Sequence, residues 1–350
     1  MGSTPPVRVL HVIESYGSGS LTAAAQYVRS TPDLEHHLLR RIREDYVPFG
    51  EEVLFTSVTD LPRSRVRSIG AVRKATRTLS PEVVHAHSSF AGLFARLALR
   101  AGRPARVVYT PHCFVFERTD ISATARRGYR LVEWALAINT TVIAGCSTGE
   151  VRAAQAWRTC RRAVHVPNIV RDAPVAERAR HAERPVVVSL GRVSAQKDAD
   201  FFLATLRDLG QRGRRVRGLW IGGGDSADVA RLEAAGVEVT GWVTRDRVLD
   251  LLSSADLYLH TAAWEGFPMS ILEAHRMGLP ILVRDIAAFH HLPAALRGRS
   301  PRELATLAED MLLAPSHARA DRNRSLWDAA LIEHSPEIQR DRLLEAYGVA

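Results

Sequence analysis

Glu265 and Glu273 stand with seven residues between them in the stretch Trp264-Glu-Gly-Phe-Pro-Met-Ser-Ile-Leu-Glu273. Leu257 to His260 reads as a short apolar strand, Thr261 to Phe267 as a loop, and Pro268 suits a first helical position, where its missing N–H costs nothing. The helix then runs to about Arg276, ahead of Met277-Gly278. Its free amides at Met269, Ser270 and Ile271 would hold an anion such as a diphosphate. Glu265 lies ahead of those amides and Glu273 more than a turn inside the helix. Neither carboxylate needs to touch phosphate, and each can accept hydrogen bonds from hydroxyls. The spacing reads as a sugar-nucleotide site.

A second constellation is Gly191-Arg192 through Gln196-Lys197, directly after the apolar run Pro185 to Leu190. Of 47 basic residues only Lys74 and Lys197 are lysines, so arginine is the default cation of this chain. Lys197 falls where a compact point charge would meet phosphate oxygens. The loop Glu14 to Ser20 carries Gly17 and Gly19, which let backbone approach a ligand ahead of a helix beginning near Leu21. His85 and His87 alternate onto one face of a strand; a zinc pair is conceivable, but a third ligand of suitable spacing is not apparent, and packing or capping is the reading preferred. The run Gly222-Gly-Gly224 reads as turn chemistry, because it lacks the Lys-Ser/Thr ending of a P-loop.

The Glu-x7-Glu pattern with Gly-Phe-Pro inside it, and the Gly-Arg-x4-Lys unit after a strand, resemble the family four retaining glycosyltransferases of the GT-B fold. The resemblance spans nearly the whole chain. It implies two Rossmann-like doubly wound parallel-sheet α/β domains facing a cleft, with Arg192 and Lys197 clamping the donor diphosphate. It also implies that Glu265 binds the donor sugar's hydroxyls and favours a cationic ring, while Glu273 binds the ribose. Trp242 and Val243 would flank the base, Phe267 would join the amides of Met269, Ser270 and Ile271 in substrate binding, and Gly17 and Gly19 would meet the diphosphate. His112 matches a histidine that the family carries near the transferred sugar and the acceptor.

The same resemblance implies a retaining, front-face transfer without a metal ion or cofactor. The co-substrate would be a nucleoside-diphosphate sugar, a UDP-sugar foremost, and the acceptor a hydroxyl of a glycan, a lipid-linked intermediate or a small metabolite. A catalytically inactive nucleotide-sugar-binding or scaffolding protein and a GT-B-type sugar-nucleotide epimerase are the alternatives. One departure stands out. After the strand Ile281 to Val283 the family has a glycine-containing loop, whereas this chain reads Arg284-Asp285-Ile-Ala-Ala-Phe-His-His291, and no strand is read between there and Arg302.

Composition fits this reading. With 350 residues and 46% hydrophobic content the chain can bury two domain cores. Apolar β-type runs alternate with helix-length segments in both halves. The expected division is an acceptor domain over 1–168, a polar linker over 169–184, a nucleotide-sugar domain over 185–335 and a last helix over 336–350 that packs back on the first domain. No apolar run reaches about 18 residues, the N-terminus lacks a signal pattern, and three cysteines without metal spacing read as reduced thiols. Those features point to a cytoplasmic protein. The net charge of +9 suits an anionic substrate, and no nucleic-acid reader motif accompanies it. Leu61 to Arg77 is basic and partly amphipathic; it reads first as a solvated face, with peripheral contact at the inner membrane face left open.

Overall fold

The computed structural model describes residues 5–16, 19–42, 50–170, 184–313 and 317–349. The chain divides into two compact units, one of Met1–Glu117, Ile121–Ile169 and Glu333–Ala350, the other of Arg118–Asp120 and Val170–Ile332. Gly17 and residues 171–183 of the expected linker lie outside the described residues.

The first unit is a seven-stranded sheet built from β1 (Arg8–Tyr16), β2 (Glu35–Ile42), β3 (Ser57–Asp60), β4 (Val83–His87), β5 (Arg106–Thr110), β6 (Val142–Gly145) and β7 (Ala163–His165). The order is β3-β2-β1-β4-β5-β6-β7 and every pairing is parallel. Between the strands run α1 (Gly19–Ser30), α2 (Arg65–Leu79), α3 (Ser89–Ala98), α4 (Ala123–Leu136) and α5 (Thr148–Gln155). Strands as apolar as Val83-Val84 and Val107-Val108 follow from burial on both faces, which parallel sheets require.

The second unit is a six-stranded sheet of β8 (Val186–Leu190), β9 (Arg217–Ile221), β10 (Glu238–Val239), β11 (Leu257–His260), β12 (Ile281–Arg284) and β13 (Arg297–Gly298). Its order is β10-β9-β8-β11-β12-β13, again all parallel. Its helices are α6 (Ala199–Gln211), α7 (Ser226–Ala234), α8 (Arg245–Ser253), α9 (Met269–Arg276), α10 (Pro301–Leu313) and α11 (His317–Ala330). The two-residue β13 corrects the expectation that no strand lies between 284 and 302. It pairs with the end of β12, Arg284 opposite Gly298. The last helix, α12 (Pro336–Tyr347), belongs to the first unit, where Leu343, Ala346 and Tyr347 join the core of Val9, Tyr27, Val83 and Val108.

In each sheet the strand order reverses once, between β1 and β4 and between β8 and β11. At such a switch point the loops at the carboxyl ends of adjacent strands part and leave a crevice, the usual ligand position in an open α/β sheet. The loops singled out from sequence after β1, β8 and β11 are at these points, as is the end of β4 with His87. Side-chain caps close most helix starts: Ser122 on α4, Ser147 on α5, Asp198 on α6, Asp225 on α7 and Thr244 on α8. On α9 the N-cap is Pro268, with no side chain bonded to the first turn. Pro268 thus precedes the helix rather than opening it, which corrects its expected position by one residue.

Candidate active site

In the second unit the loop after β8 is sewn to the glycine run after β9. Gly191 N donates to Ile221 O at 2.9 Å, Val193 N to Gly223 O at 2.9 Å and Asp225 N to Val193 O at 3.0 Å. A Cβ at Gly222 would sit 2.4 Å from Gly191 O, and one at Gly224 2.0 Å from Val193 O. Close approach of two backbones, beyond turn chemistry alone, therefore requires this run. Trp220 Nε1 donates to Gly191 O at 2.9 Å and fixes the start of the loop.

That loop delivers Lys197, which forms an ion pair and hydrogen bond with Glu265 from the loop after β11. Their side chains are 16% and 10% exposed, so the pair is largely withdrawn from water. His260, buried at the end of β11, places Nε2 3.7 Å from Glu265 and Nδ1 3.1 Å from the Tyr258 hydroxyl. Burial, then the nearby Lys197 charge, hold this imidazole well below its ordinary pKa, hence neutral. Tyr258 donates to Ser270 Oγ at 2.8 Å, tying β11 to the first turn of α9.

Glu273 is paired with Arg245, Nη1 to Oε1 at 3.2 Å. Burial pushes the Glu273 carboxyl above its ordinary pKa, and Arg245 pulls the other way. Arg245 was not singled out from sequence; its only local signal is its place just after the cap Thr244. Arg192 lies over the Trp242 ring at 5.6 Å. Trp242 is 54% exposed, so it is not a core residue; Val243 is half-buried. Phe267 and Ile271 are buried, Phe267 edge-on to Phe289 at 6.4 Å. Met269 is half-buried and Ser270 buried. Arg284, the point of departure from the family pattern, bonds Asp198 Oδ2 at 2.6 Å while Asp198 Oδ1 caps α6. It thereby fixes the left-handed residue (φ 54°) that follows Lys197.

In the first unit, His112 and Cys113 follow β5 with φ of 51° and 97°, a strained turn for non-glycine residues. Glu150 holds it. One carboxylate oxygen accepts from Cys113 N at 2.6 Å and the other from Cys146 N at 2.8 Å. Burial pushes the Glu150 carboxyl up to about 7 against those two donors. Gly19 opens α1, and an added Cβ there would meet nothing within 4 Å, so local sterics do not demand glycine.

His11 on β1 was also missed. It pairs in register with His85 and lies between His36 and His87, 3.0 Å from each. His87 in turn lies 3.1 Å from His112. One ring nitrogen from each of His11, His85 and His87 lies within 4.8 Å of the other two, so a third imidazole does stand beside the His85–His87 pair. Yet His85 has Nδ1 on the Tyr347 hydroxyl at 2.9 Å and Nε2 on Thr110 Oγ1 at 2.8 Å, and His11 and His87 are bonded to each other. The cluster is satisfied by hydrogen bonds. Burial holds His11, His85 and His87 well below the ordinary imidazole pKa, and brings His112 down to about 4.

Residues 18–169 match the family described as "Glycosyl transferase 4-like domain" and residues 184–312 the one described as "Glycosyl transferases group 1". An uncharacterised protein of the Klebsiella pneumoniae cps region is 23% identical over 300 residues, 81% of this chain and 82% of that one. The UDP-Gal:alpha-D-GlcNAc-diphosphoundecaprenol alpha-1,3-galactosyltransferase of Escherichia coli is 24% identical over 250 residues, 63% of this chain and 62% of its own. The crystal structure of Anabaena HepE in complex with UDP superposes with a TM-score of 0.76 at 14% identity, covering 98% of this chain and all of that one. Two parallel α/β sheets, the paired carboxylates after β11 and these matches lead to one conclusion: the chain belongs to the family four glycosyltransferases of the GT-B fold.

Proposed function

We propose that this glycosyltransferase moves a hexosyl group from a UDP-sugar to a hydroxyl acceptor, with retention at the anomeric carbon and without a metal ion. The observation that carries the reading is the pair of withdrawn carboxylates, Glu265 and Glu273, each partnered by one cation and flanking the uncapped start of α9. Lys197, Arg192 and the α9 amides would stabilise the charge that builds on the leaving diphosphate. Glu265 would hold sugar hydroxyls and favour the cationic ring, Glu273 the ribose, and the departing phosphate would take the acceptor's proton. With two cations serving the diphosphate, and with the Asp198-Ala-Asp200 run after β8 engaged elsewhere, Asp198 capping α6 and bonding Arg284 and Asp200 reaching Arg231, activity should survive excess chelator.

UDP as the nucleotide is supported by the UDP complex of HepE and by the donor named for the Escherichia coli relative. That relative's name carries a lipid-linked diphosphate acceptor, which suggests an acceptor presented at a membrane. No described helix is long and apolar enough to cross one. Peripheral contact suits α4 better than the basic segment at α2. The exposed face of α2 is cationic, with Val66 its exposed large apolar side chain. By contrast α4 exposes Tyr129, Leu131, Val132 and Trp134 beside Arg126, Arg127 and Arg130, the combination that suits an anionic bilayer surface. Loss of sedimentation with anionic vesicles in Leu131→Glu would support this role, and the parent staying in the supernatant at low salt would end it.

A panel of nucleotide sugars, scored for nucleoside diphosphate release with and without acceptors, tests the main reading. UDP release with a glycosylated acceptor is expected. Binding without turnover would favour the inactive sugar-nucleotide binder, and an inverted sugar without any acceptor would favour the epimerase.

A further inference from the structure

Four imidazoles in the first unit form one hydrogen-bonded chain whose direction can be read off its far end. His36 Nε2 lies 2.9 Å from the carbonyl oxygen of Thr31, which can only accept. Thr31 Oγ1 is 3.2 Å from the same nitrogen, but its single proton goes to Tyr27 O at 2.8 Å. His36 therefore carries its proton on Nε2 and leaves Nδ1 bare. His11 Nε2, 3.0 Å away, must donate to it, so His11 Nδ1 is bare and accepts from His87 Nε2 at 3.0 Å. His87 Nδ1 is then bare and accepts from His112 Nε2 at 3.1 Å. One proton per neutral ring leaves no other assignment. The bare nitrogen at the end is Nδ1 of His112, on a partly exposed ring and without a hydrogen-bond partner among the described residues.

We propose that His36, His11 and His87 are positioning residues that fix His112 as its Nε2–H tautomer, so that Nδ1 is offered to a sugar hydroxyl as a hydrogen-bond acceptor. The inference rests on the reading of His112 as a residue of the transfer site. It adds a selectivity: a hydroxyl at the contacting position is accepted, whereas a carboxylate or carbonyl there would set lone pair against lone pair. The chain is packed to stay neutral. His85 stacks on His87 at 4.2 Å with both its nitrogens committed, Tyr27 lies against both rings, and Phe55 meets His11 edge-on at 5.8 Å. Asp33 and His37 act on His36 from nearby with opposing sign.

Nitrogen-15 NMR of histidine-labelled full-length protein reads the tautomer of each ring directly. In the parent, His112 is expected as Nε2–H with Nδ1 bare. His11→Leu cuts the chain, frees His87 to turn its polarity around, and should give His112 a mixed or inverted tautomer. With UDP affinity unchanged, kcat should fall about tenfold or more, as for a misoriented reacting group. His11→Asn, which both accepts and donates at that position, should restore the parent tautomer and most of the rate. Nδ1–H at His112 in the parent, or a His112 signal that His11→Leu leaves untouched, overturns the proposal. If His11→Leu does not fold, the parent spectrum decides alone. Failure of the transferase reading would show separately, as absence of sugar transfer by the parent, while the tautomer assignment stands or falls on the spectrum.

Discussion

Lys197 and Glu265 are bonded to each other across the gap between the β8 and β11 loops, although the proposed transfer gives them different parts of the donor to bind. The pair sets the cation and the carboxylate at adjoining positions before either meets phosphate or sugar, so little reorganisation remains to be made. Lys197→Ala should therefore act twice, removing a phosphate partner and leaving Glu265 without its cation. UDP binding should weaken by about 1.5–3 kcal/mol, read by calorimetry. Glu265→Gln should leave UDP binding close to the parent and depress transfer. If Lys197→Ala binds UDP like the parent while folded, the phosphate site lies elsewhere.

Arg245 and Glu273 make the second pair, and here the prediction concerns pH. Burial raises the Glu273 carboxyl pKa and Arg245 lowers it. A ribose-binding carboxylate must be ionised to accept from two hydroxyls, so UDP affinity should fall as pH drops toward that raised pKa. Removing the cation lets the pKa climb further. In Arg245→Ala the fall should begin at higher pH than in the parent, and Glu273→Ala should show neither the affinity nor the pH dependence. Superimposable parent and Arg245→Ala profiles would detach Glu273 from the ribose.

Glu150 carries a stability prediction. Its carboxyl rises from the ordinary 4.5 to about 7 in the folded chain. Between those values the folded state keeps a proton that the unfolded state has lost, so this residue's contribution falls as pH rises through the window. The difference in urea stability between parent and Glu150→Gln should shrink by up to about 3 kcal/mol from pH 4.5 to 8. Glu150→Ala orphans the Cys113 and Cys146 amides, at about 1–3 kcal/mol each, and should slow transfer by releasing the strained turn at His112. A difference that grows with pH would contradict the assignment.

What the sequence disclosed and what it hid divide along one line. The strand Leu257–His260 was legible to the residue and Val186–Leu190 to within one, because buried parallel strands are continuous apolar runs. Ser57–Asp60 and Arg297–Gly298 were not, being short outer strands specified by their neighbour and not by their own pattern. Glu265 with Glu273, and Arg192 with Lys197, each drew notice because the spacing within each pair is local, while the Lys197–Glu265 contact across 68 residues shows only in the fold. The histidine chain was not legible. His36, His11 and His87 each alternate unremarkably within their own strands, and only the parallel register of β2, β1 and β4 brings them to one face. Arg245 escaped for the same reason, since its partner lies 28 residues away on another helix.

The stereochemical outcome is the last prediction. An inverting transfer needs a general base on the face opposite the leaving group, able to take the acceptor's proton. His112 is the candidate for that work, and its environment argues against it. Burial holds the ring near pKa 4, too weak a base to deprotonate a sugar hydroxyl efficiently near neutral pH, while the chain through His87 holds its other nitrogen as a donor. A neutral acceptor nitrogen can orient a hydroxyl without removing its proton, which leaves that proton to the departing phosphate on the same face as the attack. An α-linked donor should then give an α-linked product, with His112→Ala slowing transfer by about 10²-fold or less and leaving the anomer unchanged. The anomeric proton coupling of the product from a gluco- or galacto-configured donor reads the result. A β-linked product from an α-donor would overturn both the retaining mechanism and the role of His112 as a hydrogen-bond acceptor.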